Sequence, residues 1–310
     1  MIDMELSDFR RTHEQILPYI RRTPVVETDW PGLFLKLENL QYTHSFKIRG
    51  AFSRMLKLVE DNDRRTVLTV SAGNHGQAVA RASSVLGLSC TVVVPETAPR
   101  AKVEAIERYG IDLKVEGANY DEAEQLTLRL AGDCDRYVFV SPYNDPFVIL
   151  GQGTLALELV EQQPDVQTVM VPIGGGGLAA GIARAMKQLR PAVRIVGVQA
   201  EASAAIYHSL EAGSLITIPD RPTVADGIQG NIEDGSITFD LIRDFVDEVV
   251  TVPEDAIRQS MRELLHQEKI LAEGAAAVTV AAFRSGLGST TNPTIAVISG
   301  GNLDLDKVLD

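Results

Sequence analysis

The chain has 310 residues, 45% of them hydrophobic and 23% charged, and a formal net charge of −13. That length allows a substantial core and suggests about two domains, while the acidic balance argues against nucleic acid or an anionic membrane as partner, because both need a basic surface. Cys90 and Cys134 fit no metal or redox spacing, no apolar run is long enough to span a membrane and no signal peptide is visible at the start, so a reducing, cytoplasmic setting is expected.

Taken in order, Phe9, His13, Ile16 and Leu17 recur near helical spacing and predict an opening helix within residues 4–21. Thr23-Pro24 ends it, since proline disfavours helix at the residue before it. Residues 24–27 and 33–38 read as short strands, and 39–43 as a loop leading to Ser45-Phe46-Lys47-Ile48-Arg49-Gly50-Ala51, with a helix over about 48–60. Strands and helices then alternate: strands at 67–70, 90–94, 112–116, 137–140, 168–172, 194–199, 248–252 and 294–298, and helices at 121–131, 152–163, 253–268 and 273–284. Gly87 is placed as a helix stop, Thr97 with Pro99 as a helix start and Gly110 as that helix's end, and residues 213–236 as an irregular polar loop. The alternation predicts an α/β architecture with mostly parallel sheets. No Pro/Gly/Ser linker divides the chain, so its domains are expected to be interleaved.

Four loops carry candidate chemistry. A lone lysine is ordinarily a solvated charge, but Lys47 lies between Phe46 and Ile48. Burial would lower its pKa, and a neutral lysine can attack a carbonyl. Gly174-Gly175-Gly176-Gly177, between a strand and a helix, lets backbone N–H groups converge on an anion. It matches neither a Walker motif nor the spaced glycines of a dinucleotide fold, and suits a compact phosphate. Ser71-Ala72-Gly73-Asn74-His75-Gly76 follows a strand at the end where ligands of open α/β sheets bind, and its polar groups could cradle a carboxylate. Ser299-Gly300-Gly301-Asn302 follows the last strand. Each taken alone also reads as an ordinary turn.

Together, Ser45 to Ala51, Ser71 to Gln77, Gly174 to Gly177 and Ser299 to Asn302 resemble, in order and spacing, the signature segments of the serine/threonine dehydratase and serine racemase family. The resemblance spans essentially the whole chain and implies the tryptophan synthase β-like fold (fold type II) with pyridoxal 5'-phosphate as cofactor. It implies a large cofactor-binding domain of residues 1–46 plus 147–310 and a small substrate-loop domain of 47–146. Lys47 would hold the cofactor aldehyde as a Schiff base and act as catalytic base, with Phe46 against the ring, Asn74 on the ring hydroxyl, Gly174, Gly175, Gly176 and Gly177 on the phosphate and Ser299 at the pyridine nitrogen. Ser71, Ala72, Gly73, Asn74 and His75 would hold the substrate carboxylate.

The implied activity is β-elimination of a β-hydroxy amino acid, L-threonine or L-serine, to a 2-keto acid and ammonia. Dehydration of 3-hydroxyaspartate or a hydroxyectoine-derived amino acid is the alternative within the family, and a catalytically silent amino-acid-binding protein the alternative outside it. Racemisation needs an acid/base opposite the lysine, where the racemases carry a serine; the matching residue here is Ala72, which cannot carry a proton. The family's divalent-cation site combines a glutamate, a backbone carbonyl and an aspartate. Glu201 and Ala205 match the first two, but Tyr207 stands at the third, and two oxygen ligands are too few for a hard cation, so no metal is expected. Softer matches are Pro142-Tyr143-Asn144-Asp145, Gly151-Gln152-Gly153-Thr154, Asp226-Gly227 and Glu273 near the site, and Thr43, Gln77, Lys269 and Asn302 at a nucleotide position of the animal racemases. The chain ends at Asp310, soon after the Ser299 segment, so no C-terminal regulatory domain is expected; a homodimer is.

Overall fold

A computed structural model of the protein describes residues 4–133, 135–219, 221–288 and 292–303. Among the described residues ten strands form two sheets. The larger holds β1 (Val25–Glu27), β2 (Leu33–Leu37), β7 (Thr168–Pro172), β8 (Arg194–Ala200), β9 (Glu248–Val252) and β10 (Thr294–Ile298), in the order β1-β2-β10-β7-β8-β9. Only the β1–β2 pair is antiparallel. The smaller, wholly parallel sheet has the order β5-β4-β3-β6, with β3 (Thr66–Val70), β4 (Cys90–Val94), β5 (Asp112–Val115) and β6 (Tyr137–Phe139). Central strands such as β4, β7 and β10 are buried at every position, which is why they read as unbroken apolar runs.

Both faces of the larger sheet are covered. Ile257, Met261 and Leu264 of α10 (Glu254–His266) pack with the alanines of α11 (Gly274–Arg284) on one side. Opposite lie Phe9 of α1 (Leu6–Ile16), Ile149 and Leu155 of α6 (Pro146–Gln162), Ile182 of α7 (Gly177–Leu189) and Ile242 of α9 (Ile237–Phe245). Around the smaller sheet pack Ile48, Phe52 and Met55 of α2 (Lys47–Glu60), Val79 of α3 (Asn74–Leu86) and Ile106 of α4 (Arg100–Glu107), while Ala123 of α5 (Tyr120–Asp133) joins Leu68, Val70 and Val93. The remaining helix, α8 (Ala205–Ala212), follows β8 after a 3-10 turn. Among the described residues no helix is long and apolar enough to cross a membrane.

Several helix ends differ from the sequence reading. The opening helix stops at Ile16 and tightens to a 3-10 turn over Leu17–Tyr19, because Pro18 has no N–H to continue the ladder. Thr97 is not the cap of α4: Pro99 is, in an extended conformation, and its carbonyl receives the N–H groups of Lys102 and Val103. That helix ends at Glu107, and Gly110 takes the left-handed turn beyond it, as Gly87 does directly after α3. Six residues before its expected start, α6 begins at Pro146, where Asp145 accepts the N–H groups of Phe147 and Val148.

Three helices cross at glycines. A Cβ on Gly151 of α6 would lie 2.5 Å from the Arg49 carbonyl oxygen of α2, and one on Gly181 of α7 would lie 2.5 Å from the Ile149 carbonyl oxygen of α6. The Gly151-Gln152-Gly153-Thr154 match is thus a close helix crossing. Cys90 is buried, which pushes its thiol up to about 12 and leaves it unreactive; Cys134 lies outside the described residues.

Candidate active site

The carboxyl ends of β2, β10 and β7 are neighbours on one edge of the larger sheet. From them leave, in turn, the segment reaching Lys47, the Ser299 segment and the glycine loop. The first two are stitched together: Phe46 N–H donates to the Ser299 carbonyl at 2.9 Å, Gly301 N–H to the His44 carbonyl at 2.9 Å, and Ser45 forms a β-bridge with Gly300. The smaller sheet meets this edge through the Ser71–Gly76 loop and the N-terminus of α3.

Lys47 opens α2, half-buried, and its Nζ donates to the Pro142 carbonyl at 2.8 Å. Desolvation lowers its pKa to about 8, with Glu273 partly opposing the shift. Phe46 is packed into the larger core, 5.2 Å from its ring centroid to the ammonium.

Two residues on, Arg49 fixes the start of α2 inside a cluster whose four charged side chains are completely buried. Its guanidinium donates to Glu38 at 2.7 and 2.8 Å and to Glu158 at 2.7 and 3.1 Å. Lys36 donates to Glu158 at 2.6 Å, to Gln162 at 2.9 Å and to the Thr23 carbonyl at 2.7 Å. Desolvation works against the charges of Arg49 and Glu158, but each is held ionised by its partners. The sequence reading passed over this cluster. Its trace is Lys36 and Glu38 set among the leucines of a short strand.

The first three positions of the glycine loop need glycine. A Cβ on Gly174 would come 2.9 Å from the Ile228 Cα, one on Gly175 would overlap the Tyr143 ring, and Gly176 has φ +89°. Thr238 donates to the Gly175 carbonyl at 2.7 Å, leaving the loop's N–H side to the first turn of α7, whose N–H groups have no intrahelical acceptor. Such a cradle fits a phosphate monoester.

Asn74 and Glu273 form the floor between the sheets. Asn74 Nδ2 donates to Glu273 at 2.8 Å, and Asn302 Nδ2 donates to Asn74 Oδ1 at 2.7 Å and to the Thr43 carbonyl at 2.8 Å. The second Nδ2 hydrogen of Asn74 is free to meet a ligand hydroxyl. Burial, then Asp226, pushes Glu273 up to about 7. A Cβ on Gly300 would strike the Glu273 carboxyl, so the Ser299 turn needs glycine there. Ser299 is itself buried. In the facing loop Ser71 Oγ accepts from Gly73 N–H at 3.1 Å, and a Cβ on Gly76 would overlap the Ser71 carbonyl. His75 is buried and pushed down to about 3 by desolvation and Lys47, so it is neutral, and its Nε2 bonds the Val140 carbonyl at 3.1 Å. Ala72 offers the site only a methyl group.

Tyr143 lies on Gly175 and accepts the Glu233 N–H at 3.2 Å, while Asn144 accepts the Ile237 N–H at 3.0 Å. Asp226 pairs with Lys102 at 3.6 Å. Glu201 is exposed, Ala205 is buried and the Tyr207 N–H is taken by Gln199. Lys269 and Asn39 line a cavity of about 400 Å³ with His44 and Leu271, behind the Asn302 turn.

The sequence profile of a family described as pyridoxal-phosphate dependent enzymes matches residues 16–300, and the chain belongs to that family. It is 40% identical over 309 residues to an L-threonine ammonia-lyase of Thermotoga maritima, covering 98% of this chain and 77% of that one. A catabolic L-threonine dehydratase of Staphylococcus aureus is 38% identical over 316 residues, 98% and 91%. The structure of maize serine racemase superposes with a TM-score of 0.91 at 33% identity, covering 98% of this chain and 95% of the other. The fold is that of the fold type II enzymes, as the sequence motifs implied, and the cofactor is pyridoxal phosphate. The glycine cradle beside a desolvated lysine fits that cofactor's phosphate and aldehyde.

Proposed function

We propose that the protein eliminates water from L-threonine or L-serine, that the resulting enamine tautomerises to an imine and takes up one water to give a 2-keto acid and ammonia, and that Lys47 is the catalytic residue. One observation carries the reading. Lys47, the glycine loop and Ser299 leave three adjacent strand ends, and the Ser71–Gly76 loop faces them.

Gly174 to Gly177 would hold the cofactor phosphate, Asn74 its ring hydroxyl and Ser299 its ring nitrogen, with Phe46 alongside. When bound, pyridoxal phosphate supplies the electron sink for the charge left at the substrate α-carbon. The N-terminus of α3 and the polar groups of Ser71, Gly73 and His75 orient the substrate carboxylate, where the helix dipole favours negative charge. Lys47 Nζ, its pKa lowered to about 8, would take the α-proton as general base. Ser299, a neutral side chain, would face the ring nitrogen without a carboxylate's charge, a setting suited to elimination of the β-hydroxyl. Ala72 leaves the opposite face without a proton donor, so elimination prevails over racemisation. Residues 47–146, which include all strands of the smaller sheet, form the substrate-side unit of this reading, and the working form is a cytoplasmic homodimer.

The test is a keto-acid assay of purified protein across L-threonine, L-serine, 3-hydroxyaspartate and a hydroxyectoine-derived amino acid, with visible absorbance recorded for wild type and Lys47→Ala. Turnover of threonine or serine, with absorbance lost in the variant, is expected. A chromophore without turnover of any of these substrates would make the chain a binding protein and refute the lyase reading. Sedimentation reads the oligomeric state.

A further inference from the structure

The polar groups after the glycine loop do not suit the divalent cation that the family resemblance carries with it. At the end of β8 sits Gln199, 1% exposed, with both ends of its amide engaged. Nε2 donates to the Ile173 carbonyl at 3.2 Å and to the Ser203 carbonyl at 3.5 Å; Oε1 accepts the Tyr207 N–H at 2.8 Å. The partners fix the amide's orientation, because turning it over would set carbonyl against carbonyl twice and N–H against N–H once.

Each partner matters to the phosphate cradle. Ile173 directly precedes Gly174. Ser203 Oγ accepts the Gly230 N–H at 2.9 Å, which holds the loop whose Ile228 lies against Gly174. Tyr207 is in the first turn of α8. One side chain thus ties the end of β7, the turn after β8, the start of α8 and, through Ser203, the 226–230 segment. A hard cation gathers carbonyl and carboxylate oxygens in the same manner, by offering them positive charge. The amide NH₂ does so here without a charge, and Glu201, the carboxylate nearest in sequence, faces solvent.

We infer that Gln199 is a built-in substitute for a divalent cation and the positioning residue that keeps the glycine loop in its phosphate-binding shape, so that cofactor retention is independent of metal. The inference rests on the reading of Gly174 to Gly177 as the phosphate loop and does not depend on which amino acid is the substrate.

The experiment follows cofactor release from holoenzyme by visible absorbance, together with the thermal midpoint, in EDTA, Mg²⁺ and Ca²⁺. Wild type is expected to behave alike in all three. Gln199→Glu places a carboxylate oxygen where the NH₂ faced two carbonyls. It should release cofactor about tenfold faster in EDTA, and Mg²⁺ or Ca²⁺ should restore retention saturably. Gln199→Met, of similar size, should release cofactor about as fast with no response to either cation. A merely structural glutamine would give no cation rescue. Wild-type retention that falls in EDTA, a Gln199→Met enzyme that retains cofactor like wild type, or a folded Gln199→Glu enzyme indifferent to both cations would each overturn the inference. If Gln199→Glu does not fold, the wild-type and Gln199→Met arms still decide. Absence of threonine or serine turnover with this cofactor behaviour intact would refute the lyase reading alone.

Discussion

Replacing Glu158 with glutamine removes one of two negative charges from a buried set in which Lys36 and Arg49 supply two positives. The shape is kept, but the interior is left with one uncompensated positive charge, and the new NH₂ confronts a cation at hydrogen-bond distance. Breaking a buried pair from one side costs about 3–5 kcal/mol. At roughly 2–4 °C per kcal/mol for a large domain, the thermal midpoint should fall by about 10 °C. The pH dependence carries a sign. Desolvation raises the Glu158 pKa, but Arg49 and Lys36 outweigh it and hold it below its ordinary 4.5. Its contribution is therefore full above that value and lost as pH falls through the folded pKa, so wild type and variant should converge in acid. Lys36 is already lowered, by desolvation against the pull of Glu158, and loses that pull in the variant. Its penalty is complete below the folded pKa and fades as pH rises toward 10.5, so the variant should recover in alkali. Circular dichroism melts across pH test this, with Lys36→Met added to Glu158→Gln as a second variant. The double variant should regain part of the loss. A Glu158→Gln midpoint within about 2 °C of wild type, or no recovery in the double variant, refutes the reasoning.

Gly151→Ala puts a methyl 2.5 Å from the Arg49 carbonyl oxygen, where ordinary contact begins at 3.4 Å, so α6 and α2 must part by several tenths of an ångström; a stability loss of about 1–3 kcal/mol in denaturant titration, with slower turnover from a displaced Lys47, is expected. In cofactor-stripped protein, the rate of rebinding pyridoxal phosphate should rise with pH and level off above about 8, as Lys47 loses its proton, and stopped-flow absorbance reads it. D-serine formation from L-serine should be minor in wild type and increase in Ala72→Ser, measured by chiral chromatography; no increase would remove Ala72 from the explanation.

What the sequence disclosed was the part of the site made of unusual residue strings. Four consecutive glycines, or a lysine between phenylalanine and isoleucine, stand out without coordinates. The alternation of apolar runs with helical stretches likewise gave away nearly every strand, because strands buried on both faces have few polar positions. Gln199 and the Lys36–Glu38–Arg49–Glu158 cluster did not stand out. A glutamine in a strand reads as its solvent side, and the partners of Arg49 are drawn from positions 11 and 109 residues away. Their function lies in pairing, which periodicity does not encode. The missed start of α6 has a different cause: Asp145 closes the Pro142-Tyr143-Asn144-Asp145 match near the site, although aspartate before Pro146 is itself a helix-start signal.

The position of β10 sets an order of events for the growing chain. It is the last of the described strands to be synthesised, yet it lies inside the sheet, between β2 and β7. Until residues 294–298 have been added, β2 and β7 have no common neighbour and the sheet stands open along its middle. Lys47 and the glycine loop exist by then, but the Ser299 segment that follows β10 and bonds Phe46 does not. The wall of the site that carries Ser299 is thus the last to arrive, and it comes with the strand that closes the larger sheet.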